Sequence, residues 1–353
     1  MKYYQTTTEF NCGVDLHSRQ MYACVMDRPG KVLVSTNILG NDFGEFLRRV
    51  TPYRHDMTVT CECTFNWYWF ADACQDAGLK FVLAHALYLG SIHGGKHKND
   101  REDAKELADI LRTNRLPPAY VYPRELRAVR TLLRRRLHFV WLRSELIGHL
   151  ACGVMAEGGK PVGPVSYHPN KAPWFEKVRS HYQDHPLLAL AAEADMDVIQ
   201  CCDKVIERLR DQILQHTRRH AGRDFNLLMT IPGVGEVLAL TILYEIGALD
   251  RFDRVQDFSS YCRLVKGTVA SAGKTMGWKG AKLGNGYLKW AFREAAVLCK
   301  KADTPLRAFA QRLEAQKGKY VAYAILAHKL GRAAYHMLKD GKGFDPMKFV
   351  RNG

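Results

Sequence analysis

Apolar and polar positions change their period several times along this chain. Phe10 to Asp15 (FNCGVD), Met21 to Met26 and Val32 to Val34 are short apolar runs, with Pro29-Gly30 as a turn between the last two. Such runs bounded by turn signals predict strands. Asp42 caps a predicted helix over Phe43 to Val50, whose Phe43, Phe46 and Leu47 share one face. Met57 to Cys61 (MTVTC) reads as a strand that ends at Glu62. A helix over Trp67 to Ala77 stops at Gly78, and Lys80 to Ala84 (KFVLA) is a fifth strand. A last helix runs from about Arg101 to Asn114, ahead of Pro117-Pro118. Three strands followed by alternating helix and strand (βββαβαβα) predict a ribonuclease H-like sheet covered by helices.

From Arg124 to about Leu150 the period becomes helical, with Leu126, Val129, Leu133, Leu137 and Val140 on one stripe. The other faces carry Arg124, Arg127, Arg130, Arg134, Arg135, Arg136 and Arg143. A merely solvated helix would mix in more acids, so this one suggests a nucleic-acid contact. Cys152 to Trp174 is rich in Gly and Pro and reads as a loop. A second helix spans about Leu187 to His216, where Val198, Cys202, Val205 and Leu209 follow coiled-coil spacing. Two long helices joined by a loop form an arm, although an ordinary bundle accounts equally well for the second helix. From Phe225 onward a short apolar helix, a glycine hairpin, another helix and a Gly/Lys loop precede helices over Leu288 to Leu298 and Val321 to Leu338. The expected divisions are 1–119, 120–222 and 223–353.

Composition narrows the partners. The 353 residues carry a net charge of +16, which favours a polyanion such as DNA, RNA or an anionic membrane surface. No run reaches the roughly 20 apolar residues of a membrane span. The N-terminus lacks the apolar core of a signal peptide. The ten cysteines form no CxxC pair, so reduced thiols in a cytoplasmic protein are expected.

Four acids stand out. Asp15 closes an apolar strand, and Glu62 closes the strand expected to lie beside it. Asp100 and Asp103 stand i and i+3 at a helix start and share one face. Carboxylates so gathered hold Mg²⁺, which prefers oxygen ligands and serves phosphodiester chemistry. Asp100 and Asp103 alone would equally complement a helix dipole. Ile231-Pro232-Gly233-Val234-Gly235 resembles the turn of a helix-hairpin-helix element, where Gly233 and Gly235 open backbone amides to phosphate; a tight helix–helix turn is the alternative. In Arg263 to Arg293, glycines alternate with Lys266, Lys274, Lys279 and Lys282, which offer phosphate contacts. Ser271 lies in this run, and a lone serine in a Gly/Ala loop is more often a turn residue than a nucleophile.

Together these residues resemble a known family. They are Gly13-Val14-Asp15-Leu16-His17, Glu62, Lys98 to Ala104, Ile231 to Gly235, Phe258 to Leu264, Ser271-Ala272-Gly273-Lys274, Gly284-Asn285 through Leu288, and His328-Lys329-Leu330. The chain is similar to insertion-sequence transposases that join a RuvC-like DEDD domain to a C-terminal serine-bearing transposase domain, the bridge-RNA-guided, Piv-like recombinases. The resemblance implies a RuvC-like domain, a helical coiled-coil arm and a mostly helical C-terminal domain. It implies that Asp15, Glu62, Asp100 and Asp103 bind Mg²⁺ and that Ser271 forms a covalent phosphoserine link to DNA. It also implies donor and target DNA, a non-coding guide RNA, and a dimer that becomes a tetramer. The Arg-rich helix, with Arg127, Arg130 and Arg134, and the basic C-terminal loop would then hold nucleic-acid backbones. In this picture the protein is cytoplasmic and joins the nucleoid when active. Two other readings compete: a Holliday-junction-type endonuclease, which needs the acids but not Ser271, and a non-catalytic nucleic-acid-binding protein.

Overall fold

The computed structural model describes residues 3–89, 99–163, 172–271, 274–279, 283–301 and 305–351, with 268–271, 274–279 and 301 described by their backbone. The chain divides into two compact units, Met1–Arg124 and Glu125–Gly353. No described helix is long and apolar enough to cross a membrane.

The first unit is the expected sheet with helices on both faces. Its strands are β1 (Phe10–Leu16), β2 (Gln20–Met26), β3 (Val32–Leu39), β4 (Met57–Glu62) and β5 (Lys80–Ala84), in the order β3-β2-β1-β4-β5. The first three pair antiparallel, and β4 and β5 continue parallel to β1. Helices α1 (Phe43–Val50), α2 (Trp67–Asp76), α3 (Ala86–Leu89) and α4 (Asp100–Arg112) complete the unit. Alternation along each strand sorts side chains onto two faces. Cys12, Val14 and Leu16 of β1 join Phe46 and Phe70 in the larger core, on the face covered by α1 and α2.

The opposite face receives α4. Gly13 of β1 lies against it so closely that an added Cβ would stand 2.2 Å from the Ala104 carbonyl oxygen and 2.5 Å from the Ala108 nitrogen. Ala104 and Ala108 pack there with Cys24 and Met26. Small residues on both elements therefore set the height of α4 over the sheet. Asn99 caps this helix through Glu102 N–H, and its first turn holds Asp100, Glu102 and Asp103.

The second unit is mainly helical. It holds α5 (Arg124–Ala156, apart from its first residue), α6 (Ala172–His181), α7 (Pro186–His220), α8 (Gly222–Met229), α9 (Glu236–Ile246) and α10 (Val255–Tyr261). A hairpin of β6 (Gly267–Ser271) and β7 (Lys274–Lys279) follows, then α11 (Gly286–Leu298), α12 (Pro305–Lys317), α13 (Lys319–Asp340) and α14 (Pro346–Arg351). The expected long helices are present and joined by Arg143–Asp203 and His149–Asp195 pairs. One core holds α8, α9, α11 and α13. A smaller one holds Leu150, Val154, Trp174, Phe175 and Met196 of α5, α6 and α7.

Several expectations need correction. The loop expected over Cys152 to Trp174 is shorter: α5 continues to Ala156, and α6 begins at Ala172. Gly153 is accommodated inside a helix whose Leu150 and Val154 are buried, so packing outweighs its low propensity. The α7 seam is also displaced. Its buried residues are Ala192, Met196, Ile199, Cys202, Ile206, Ile213, Leu214 and Thr217, while Val198 is exposed. Two apolar stripes share Cys202, and spacing alone does not say which one meets a neighbour. The Gly/Lys loop contains an antiparallel hairpin, in which Thr268, Val269, Thr275 and Trp278 supply strand-forming residue types.

Candidate metal centre

The C-terminal end of β1, the central strand of the sheet, lies by the start of α4. Val14 is in register with Cys61, so Asp15 and Glu62 follow as the next residues of neighbouring parallel strands. Asp15 and Asp100, eighty-five positions apart in the chain, are brought together through a residue that no role had been assigned to, His17. Its Nε2 lies 3.0 Å from Asp15 Oδ2 and 3.3 Å from Asp100 Oδ1. One ligand atom from each of Asp15, His17 and Asp100 lies within 4.8 Å of the other two. Asp15 and His17 are two apart at a strand end, and that spacing was the available signal for pairing them.

The surroundings hold this group in place. The His17 carbonyl accepts hydrogen bonds from Asn41 Nδ2 at 3.0 Å and Asn66 Nδ2 at 2.9 Å, and His17 N–H donates to the Gln20 carbonyl. Gln20 Nε2 donates to Asp100 Oδ2 at 2.8 Å, and Asn37 donates to Gln20 Oε1. Burial pushes the Asp15 carboxyl above its ordinary range. His17 pulls it back by charge and hydrogen bond, while the nearby negative charges of Asp103 and Asp100 push it up again. The Asp15 carboxylate is therefore less favoured than in water, and His17 offsets part of that cost. Carboxylate oxygens and an imidazole grouped this closely suit a divalent cation.

The other expected residues have different surroundings. Ser271 ends β6 and is the register partner of Lys274 in β7. Lys279 ends β7, Lys266 is exposed just before the hairpin, and Lys282 lies outside the described residues. Arg130 and Arg134 turn toward the buried carboxylate of Glu245. Arg130 Nη2 lies 2.9 Å from Oε2, and Arg134 Nε lies 2.6 Å from Oε1. Asn285 Nδ2 donates to the same carboxylate at 2.7 Å, while its Oδ1 accepts from the Tyr287 and Leu288 amides at the start of α11. Arg127 is half-buried on the same helix.

The glycine turn between α8 and α9 is tightly packed. Gly233 has φ +87°, and an added Cβ would stand 2.5 Å from the Cys299 nitrogen and 2.8 Å from the Ala295 carbonyl oxygen. The Val234 amide donates to the Ile231 carbonyl. Gly235, in contrast, has open space around its Cα at the start of α9.

Two family models match the chain, one toward each end. A DEDD-type transposase family model of the IS110 group matches residues 12–153, which include all four acids. The model described as Transposase IS116/IS110/IS902 family matches residues 225–311, which include the glycine turn and Ser271. The transposase for insertion sequence element IS1111A of Coxiella burnetii (strain RSA 493 / Nine Mile phase I) is 23% identical over 291 residues, covering 78% of this chain and 74% of that protein. With the two matches in this order, the chain belongs to the IS110 family of insertion-sequence transposases and is a DNA-transposing enzyme.

Proposed function

We propose that this transposase is an RNA-guided, site-specific recombinase of a mobile insertion sequence, using metal-binding carboxylates and a serine nucleophile. The observation that carries the reading is the convergence of Asp15 and Asp100 at the C-terminal end of the central strand, with Asp103 close enough to act on Asp15 electrostatically. Asp15, Glu62, Asp100 and Asp103 would hold Mg²⁺, which would supply positive charge near the scissile phosphate. The chain's own carboxylates position it and keep their arrangement through Gln20, His17 and the docked α4 helix.

Ser271 supplies the nucleophile. Its Oγ bonds to a DNA phosphorus as the bond from phosphorus to one deoxyribose oxygen breaks. The serine hydroxyl gives up its proton, and the displaced oxygen takes one up. The phosphoserine link keeps a phosphodiester bond's energy, so rejoining to a second strand's hydroxyl needs no ATP. Carboxylates and serine come from different subunits, which makes a dimer the minimal unit and a tetramer the synaptic one. A non-coding guide RNA pairs with donor and target DNA and supplies the sequence specificity. Residues 1–119 form the carboxylate part, 120–222 an arm, and 223–353 the serine-bearing part. Arg127, Gly235, Lys266, Lys274, Lys279 and Lys282 serve nucleic-acid backbones, and the protein works in the cytoplasm at the nucleoid.

The test is junction formation in cells carrying the gene with its native flanking DNA. The expected result is a precise junction with the unaltered protein and none with Ser271→Ala. Junctions formed equally by both would remove the serine. If neither forms junctions while purified protein cuts branched DNA with Mg²⁺, a resolvase-type nuclease is the better reading.

A further inference from the structure

His17 stands where the carboxylates meet, and its position is built. Its carbonyl is clamped by the side-chain amides of Asn41 and Asn66, and its own N–H closes the β1–β2 turn on Gln20. That turn also supplies Gln20, which holds the far oxygen of Asp100. One short turn thus fixes both an imidazole and a carboxylate at the metal centre.

The separations that make His17 a hydrogen-bonded neighbour of Asp15 also put it within a ligand's reach of a cation shared with Asp15 and Asp100. Adjacent vertices of an octahedral site with bonds of about 2.1 Å lie about 3 Å apart. His17 Nε2 is 3.0 Å from one Asp15 oxygen and 3.3 Å from one Asp100 oxygen, which are separations of neighbouring vertices, and all three donor atoms lie within 4.8 Å of one another. The imidazole is about half exposed, with a side-chain exposure of 51%, so it has room to rotate about its ring axis. Mg²⁺ keeps to oxygen ligands, whereas first-row transition ions, Mn²⁺ the most weakly among them, also accept imidazole nitrogen.

We propose that His17 is a nitrogen ligand of the carboxylate metal centre and that it biases the centre toward Mn²⁺ over Mg²⁺. This rests on the reading of Asp15 and Asp100 as metal ligands. The alternative role for His17 is a counter-ion that occupies the cation's place and leaves when the cation enters.

The experiment uses the purified full-length protein and binding as its readout. Mn²⁺ is titrated and free ion is followed by its paramagnetic resonance signal; Mg²⁺ is measured by competition. The pulsed spectrum of bound Mn²⁺ reports directly on a nitrogen ligand. His17→Ala is expected to weaken Mn²⁺ binding about tenfold or more, as losses around metal sites do, with Mg²⁺ changed less than about twofold. The ¹⁴N coupling should disappear with it. His17→Gln, which keeps a polar side chain on the turn, should lose the coupling as well, and melting curves in chelator identify any variant that fails to fold. Unchanged or tighter binding of both ions by His17→Ala, or a nitrogen coupling that persists in both variants, overturns the inference and leaves the carboxylate reading standing. Asp15→Asn separates the two: it should abolish binding of both ions, and retention of both would overturn the carboxylate reading and this inference together.

Discussion

The molecule contains two acid-centred clusters with opposite character. In the first unit Asp15 is partly buried, with a side-chain exposure of 18%, and it faces other carboxylates and one imidazole. In the second, Glu245 has a side-chain exposure of 0%, yet two guanidinium groups and an amide reach it. Burial pushes both carboxyls up. At Asp15 that push prevails, and the neighbouring acids reinforce it. At Glu245 the hydrogen bond from Arg134 and the charge of Arg130 overcome it and hold the carboxyl below its ordinary range. Depth does not decide the state of either group; compensation does. The deeper acid is a closed structural joint, and the shallower one is left with negative charge to share.

The largest expected effect tests the joint. Glu245→Ala leaves Arg130 and Arg134 facing a cavity without their counter-charge, and should cost about 3–5 kcal/mol. Denaturant unfolding of the second unit reads it; a loss below about 1 kcal/mol would break the contrast with Asp15. Acid titration gives the sign. Because the folded pKa of Glu245 is lowered, its contribution is present above the ordinary carboxylate value and is lost as pH falls through the folded one.

Next in size is Gly13→Ala. The added methyl meets backbone atoms of α4, which cannot turn aside as a side chain could. A cost of about 1–3 kcal/mol is expected from overpacking, with loss of transposition because Asp100 and Asp103 move with the helix. A variant with normal stability and full junction formation would show that α4 is not held there.

Asn285→Ala should cost about 0.5–2 kcal/mol, through the lost cap of α11 and the lost amide on Glu245. Combined with Glu245→Ala, the two losses should add to less than their sum, because they share one partner. A double-mutant cycle with full additivity would separate the cap from the joint.

The smallest expected shift in stability has the opposite sign. In chelator, Asp15→Asn should raise the melting temperature slightly at neutral pH while abolishing transposition. The folded pKa of Asp15 is raised, so the ionised side chain destabilises the fold above that pKa. The penalty fades as pH falls through the folded value, and the gain from Asn should fade with it. A lower melting temperature at neutral pH would place Asp15 among the structural acids, beside Glu245.

Most of the first unit was legible in the sequence because its signals are local. Short apolar runs, Pro29-Gly30 and the Asp42 cap lie where strands, turn and helix start are found. Asp100 and Asp103 fall in the first turn of α4, and Glu62 ends β4, because both positions can be read from neighbours a few residues away. The second unit was legible in its helices and less so in its contacts. Arg130 and Arg134 read as a nucleic-acid face because their partner lies 115 and 111 positions downstream. The signal that would have found the pairing is Glu245 near the end of the apolar α9 helix, since a buried acid requires a counter-charge. Gly233 is similar: its positive φ fits the expected turn, but its pressure against α11 depends on residues more than sixty positions away. His17 was visible as part of a motif, yet only the meeting of β1 with α4 gives it two carboxylate neighbours.

The seating of α4 on Gly13 has a consequence for how such a chain can be altered. The helix is anchored through its body, at Ala104 and Ala108, one to two turns beyond the acids at its head. Asp100 and Asp103 are therefore aimed from behind: a bulkier residue at Ala104 or Ala108 would tip the head of the helix as a lever tips about its fulcrum, and the acids would move although neither had been changed.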